Sequence, residues 1–153
     1  MPRLSVDIDV VYTDHTTARA TALKAISDGL NQARTKLVKY DLEAQVAAAN
    51  KGDEIKLFSQ RGKILVKVEV NHVFQGTLLP VETRALNAEA RRIFTTDLSA
   101  PVLAKAEFYG SKLVAAMDRQ HPRDIFDVHG LYEQGGLTSE IVECFVCYLT
   151  GNF

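Results

Sequence analysis

The chain has 153 residues, 46% of them hydrophobic, which suits one domain with its own core. A net charge of −1 with 24% charged residues excludes a global basic field for nucleic acid, so any RNA contact is expected to be local. Two cysteines provide no disulfide framework, no stretch approaches the roughly 18 apolar residues of a membrane span, and no charged-then-apolar leader opens the chain, so a cytoplasmic protein is expected.

The first predicted element is the strand Leu4-Ser5-Val6-Asp7-Ile8-Asp9-Val10-Val11, which ends near Tyr12. Leu4, Val6, Ile8 and Val10 alternate with Ser5, Asp7 and Asp9, so the apolar set is expected to face a core and the acidic set solvent or a cleft. Thr13-Asp14-His15-Thr16-Thr17 supplies caps for a helix from about Ala18 to Val38 with an apolar stripe of Ala22, Leu23, Ile26, Leu30, Ala33 and Leu37. Leu42 to Ala49 is expected to extend that helix or to form a short second piece, stopped by Asn50-Lys51-Gly52-Asp53.

A hairpin follows, with Ile55 to Ser59 and Lys63 to Asn71 joined by a turn at Arg61-Gly62. Its second strand carries Ile64, Val66, Val68 and Val70 on one face, and Lys67, Glu69 and Asn71 on the other. Val81 to Ala85 reads as extended, Asn87 to Phe94 as a short helix, and Pro101 to Leu103 as a brief extended stretch. The last third is helical. Lys105 to about Arg119 offers Phe108, Leu113, Ala116 and Met117 for burial; Pro122 opens a helix from Arg123 to Tyr132 that ends at Gly135-Gly136; Thr138 caps a third, from Ser139 to about Thr150. The expected fold is α+β, a small mixed sheet flanked by helices with a C-terminal helical segment. One domain over 1–153 is expected, its sheet part running to about 103 and its helical part from about 104.

Asp7 and Asp9 lie on one side of an extended chain, roughly 7 Å apart at the backbone. They can lean toward a shared hard cation such as Mg²⁺, as phosphoryl or nucleotidyl transfer requires. A half-exposed strand with an ordinary polar face shows the same alternation. Should the strand holding Glu69 neighbour the first, its carboxylate joins Asp7 and Asp9 on the same side; otherwise Glu69 belongs to a solvated face shared with Lys67. Lys112 and Arg119, seven residues apart, share a helix face, and Arg123, Asp124 and Asp127 crowd the first turn of the next helix. Such cations and acids can hold a triphosphate and position an acceptor, or can form a salt-bridge network that pins a helix hairpin. Cys144 and Cys147 lie in a helical apolar pattern and read as core, as do Tyr109, Phe126 and Tyr132. His15, His72, His121 and His129 show no metal-ligand spacing.

Taken together, these clusters resemble the AbiEii/AbiGii toxin family, a branch of the DNA polymerase β-like nucleotidyltransferase superfamily. The residues that carry the resemblance are Arg3-Leu4-Ser5-Val6-Asp7-Ile8-Asp9, Lys67-Val68-Glu69-Val70, and the run of Lys112, Arg119, Arg123-Asp124 and Asp127. The resemblance implies a nucleotidyltransferase that acts as the toxin of a bacterial toxin–antitoxin or abortive-infection pair. By that resemblance Asp7 and Asp9, with Glu69 in the third acidic position, hold Mg²⁺ or Mn²⁺, and Ser5 lies near the nucleotide phosphates. Lys112, with Arg119 and Arg123, meets the phosphates, and Asp124 or Asp127 matches a late essential acid. The implied substrate is a nucleoside triphosphate, the acceptor an RNA such as tRNA or a protein, and the implied partner a cognate antitoxin. Nucleotidyltransferases of this kind carry a helix and a Gly-Gly or Gly-Ser turn before the acidic strand, whose backbone N–H groups cradle the triphosphate. Here Met1-Pro2-Arg3 stand in that place. The expectation is therefore a chain truncated at its N-terminus, and the alternative function is that of an inactive remnant that binds partners or homodimerises through uncovered apolar surface.

Overall fold

The computed structural model describes residues 7–48, 55–71 and 75–151. They fall into two compact units, Met1–Gly76 and Thr77–Phe153. The fold is α+β.

The first unit holds β1 (Asp7–Val11), α1 (Arg19–Val38), β2 (Glu43–Ala48), β3 (Ile55–Arg61) and β4 (Ile64–Asn71). Its four strands form one mixed sheet in the order β1-β4-β3-β2, with β1 parallel to β4 and the other pairs antiparallel. Ala22, Ile26 and Leu30 of α1 are buried, and Ile26 and Leu30 form a core with Leu57 and Val70. Val68, Val46, Ala44, Ala33 and Leu37 pack around it. Full burial of Leu57 alone stabilises the unit by about 2 kcal/mol.

Residues 42–49 correct the helical expectation. Asp41 adopts a left-handed conformation (φ 58°) after the last turn of α1, a place where a short Asp side chain is tolerated. Beyond it the alternation of Glu43, Gln45 and Ala47 with Ala44 and Val46 is used as a strand, because β3 supplies the ladder and α1 the apolar cover. The hairpin turn also lies one residue later than expected, at Gly62-Lys63, where Gly62 takes a positive φ of 58°. Ile8 and Val10 are a further correction, being 52% and 37% exposed. Helix α1 packs on β2 and β3 and reaches Val68 and Val70 of β4. Four strands about 4.8 Å apart span more than one helix of about 10 Å diameter covers, so the apolar side of β1 stays open.

The second unit holds β5 (Glu82–Ala85), α2 (Ala88–Phe94), β6 (Ser99–Val102), α3 (Lys105–Arg119), α4 (Pro122–Glu133) and α5 (Ser139–Gly151). β5 and β6 pair antiparallel as a two-stranded sheet, and Asn87 caps α2 by accepting a hydrogen bond from the Ala90 N–H. Ala106, Leu131, Ile141 and Cys144 form the core of this unit, with Leu79, Tyr109 and Leu113 against it. Helices α3 and α5 approach closely at Gly110, where an added Cβ would lie 2.7 Å from Cys144 Cβ and 2.8 Å from Phe145 N. The buried stripe of α3 thus runs through Ala106, Gly110 and Val114, which leaves Phe108 and Met117 at the surface, contrary to expectation. Phe126 and Tyr132 are likewise exposed, and Cys147 is exposed while Cys144 is buried.

Candidate functional site

The β1–β4 ladder places Asp7 beside Lys67, Ile8 beside Val68 and Asp9 beside Glu69. Directly paired residues in a parallel ladder project to the same side, and side chains alternate along each strand. Asp7, Asp9, Lys67 and Glu69 therefore share one face of the sheet, opposite the α1 core. Across the β3–β4 hairpin, Lys56 is paired with Glu69 and Phe58 with Lys67, which brings Lys56 to the same face.

Glu69 is the hub of this face. Its carboxylate accepts from Lys56 Nζ at 2.7 Å and Lys67 Nζ at 2.6 Å, and Lys67 Nζ also stands 3.6 Å from Asp7 Oδ2. These side chains are a quarter to a third exposed, so the pairs are partly shielded from water. The Lys56 and Lys67 ammonium groups hold the Glu69 carboxyl below the usual carboxylate range, and Glu69 in turn pushes the Lys67 ammonium up. Asp9 is exposed and forms no ion pair or side-chain hydrogen bond among the described residues.

Oxygen donors of the kind a hard divalent cation takes are present on this face. All three acids offer oxygen only, two of them are paired on adjacent strands, and none is sealed from solvent. The set is not gathered into a finished cage, because among the described residues no three His, Cys, Asp or Glu side chains stand together to hold one ion. Lysine ammonium groups take that place at Glu69. Ser5 lies outside the described residues.

The second unit gathers the other expected residues. Gln120, in a left-handed conformation, and His121 form the short link between α3 and α4; His121 Nδ1 accepts from the Arg123 N–H at 3.2 Å and Pro122 occupies the first turn. This tight link sets the end of α3 against the start of α4. Arg119 Nη2 lies 3.1 Å from both Asp124 oxygens. Lys112 Nζ lies 3.8 Å from Asp124 and 3.4 Å from Asp127, and 5.8 Å from the Phe108 ring centroid. Asp124 is 4% exposed, at the positive end of the α4 dipole. Arg123 is exposed and makes no ion pair among the described residues; Asp127 pairs with Lys112.

Two further residues, Lys56 and Glu107, carry no distinguishing local pattern in the sequence. A turn at Arg61-Gly62 would set Lys56 beside Lys67, whereas the turn at Gly62-Lys63 sets it beside Glu69. Glu107 stands in the first turn of α3, where an acid ordinarily reads as a surface residue. It is wholly buried, and accepts from the Leu78 N–H at 2.9 Å, the Leu79 N–H at 3.0 Å and the Tyr148 hydroxyl at 2.9 Å.

The family model described as "Nucleotidyl transferase AbiEii toxin, Type IV TA system" matches residues 1–151. The chain belongs to the AbiEii family. This AbiEii chain is thus a nucleotidyltransferase-like toxin of a type IV toxin–antitoxin system. No curated protein and no solved structure matches the AbiEii chain. Among its described residues no helix is long and apolar enough to cross a membrane.

Proposed function

We propose that this AbiEii protein is a Mg²⁺- or Mn²⁺-dependent enzyme that transfers a nucleotide from a nucleoside triphosphate to an RNA acceptor such as tRNA, in the cytoplasm and under the control of a cognate antitoxin. The observation that carries the proposal is the pairing of Asp9 with Glu69 across β1 and β4, with Asp7 on the same face. Asp7, Asp9 and Glu69 would hold the cation. When bound, the cation supplies Lewis-acid stabilisation of the departing pyrophosphate and activates the acceptor hydroxyl. The acceptor hydroxyl gives its proton to solvent as its oxygen forms a bond to the α-phosphorus, the bond from that phosphorus to the bridging oxygen breaks, and pyrophosphate leaves with that electron pair.

The other residues bind and orient. By family resemblance alone, Lys112, Arg119, Arg123 and Ser5 are the proposed phosphate contacts. Asp124 and Asp127 fix the direction of Lys112, and Asp124 that of Arg119. The test is incubation of the chain with each α-labelled nucleoside triphosphate, Mg²⁺ and total tRNA, beside Asp9→Asn. Labelled RNA from the unmodified chain alone is expected. Label on a protein instead would reassign the acceptor, and no labelled product with any nucleotide overturns the proposal.

One observation favours a second reading, an inactive module that dimerises: Ile8, Val10 and Ile64 leave apolar surface open on the core side of the sheet. Light scattering that finds a dimer, joined with absent transfer, would select it.

A further inference from the structure

We propose that Lys56 and Lys67 are resident counter-ions of the acidic sheet face, which compete with free divalent cation for Glu69 and Asp7. The inference rests on the metal reading above but concerns residues that reading leaves unused. Three acids share this face, and two ammonium groups from two different strands converge on a single one of them. Lys67 also spans from Glu69 to Asp7, bridging two of the proposed ligands on separate strands. An ion bound by Glu69 and Asp7 must displace contacts of 2.6 and 2.7 Å at Glu69 and face two nearby positive charges. Asp9, with no ion pair or side-chain hydrogen bond among the described residues, keeps its lone pairs for the incoming ion. The consequence is a site with low affinity for the bare cation and higher affinity for the cation carried on a triphosphate, whose oxygens can take over both ammonium groups.

Binding of Mn²⁺ to the whole chain, read by electron paramagnetic resonance without any turnover, tests this. Lys67→Met is expected to tighten Mn²⁺ binding by about ten-fold, and the double variant Lys56→Met, Lys67→Met further. Lys63→Met, which removes the same charge at the hairpin turn, is expected to change it less than two-fold. Lys56→Gln and Lys67→Gln serve if the Met variants fold poorly, as checked by circular dichroism. Adding a non-hydrolysable triphosphate should narrow the gap between the unmodified chain and the double variant. If Mn²⁺ binds the unmodified chain and is lost in Asp9→Asn, yet the lysine variants bind no tighter, the counter-ion inference fails while the metal reading stands. If no variant binds Mn²⁺ at all, the metal reading itself fails.

Discussion

Asp9 and Glu69 are directly paired in the parallel ladder between β1 and β4, yet their surroundings are opposite: Glu69 is held by two lysines and Asp9 by none among the described residues. The same face thus contains one acid that shapes the site's charge and one that is open to a ligand. Asp9→Asn should therefore leave stability within about 0.5 kcal/mol, while reducing nucleotide transfer on the order of 10²-fold or more. Urea unfolding and the labelled-tRNA assay measure the two quantities on one preparation. A large loss of stability would show that Asp9 supports the fold.

Asp124 is expected to behave the other way. It is buried and faces both Arg119 and Lys112, so Asp124→Ala strips two cations of a shared partner. Arg119 is well exposed and regains water, whereas Lys112 keeps Asp127. The cost should be about 2 kcal/mol rather than the larger figure for a fully sealed pair. Asp127→Asn should cost less than about 1 kcal/mol. Denaturant unfolding of both variants checks the order.

Glu107 carries the largest predicted single-residue polar effect. Glu107→Ala leaves the Leu78 and Leu79 N–H groups and the Tyr148 hydroxyl without their acceptor, a loss of about 3 kcal/mol or more. Tyr148→Phe removes one donor and should cost about 1 kcal/mol. Burial first, then the Glu107 carboxylate, push the Tyr148 phenol up from its ordinary value of 10.0. A raised value in the folded state means that this contribution is fully present below pH 10.0 and is lost as pH rises above it. Stability measured against pH on the alkaline side should fall less steeply in Tyr148→Phe than in the unmodified chain.

At the opposite end of the pH scale, Asp14 is held at about 2 by hydrogen bonds from the Thr17 and Thr16 hydroxyls and the Thr16 N–H. A lowered folded value makes its contribution present above 3.8 and lost as pH falls through about 2. The double variant Thr16→Ala, Thr17→Ala should bring the Asp14 carboxyl back toward 3.8, read by carboxyl-carbon nuclear magnetic resonance titration.

Gly110→Ala should force α3 and α5 apart, since the new methyl meets backbone as well as the Cys144 side chain. Because the neighbour at 2.8 Å is a main-chain nitrogen, rotamer changes cannot relieve the clash. A loss of about 1–3 kcal/mol is expected in thermal or denaturant unfolding.

Local patterns in the chain determined much of this protein. Period-two alternation around Asp7 and Asp9 specified which side chains share a face, and helix signals at Asn87, Pro122 and Thr138 marked starts that α2, α4 and α5 use. The spacing of Lys112 and Arg119 likewise determined that both reach one side of α3 and so meet Asp124. These properties follow from dihedral geometry over a few residues, which any stretch of chain carries with it. Tertiary structure decided the rest. Residues 43–48 contain good helix formers and became a strand because β3 and α1 were there to receive it. A hairpin turn displaced by one residue moved Lys56 from beside Lys67 to beside Glu69, converting a repulsion into the central ion pair. Burial of Glu107 depends on Leu78, Leu79 and Tyr148, the last of them 41 positions away, arriving at one carboxylate. Such charge partners are chosen by long-range packing, and an isolated segment holds no record of what will stand opposite it.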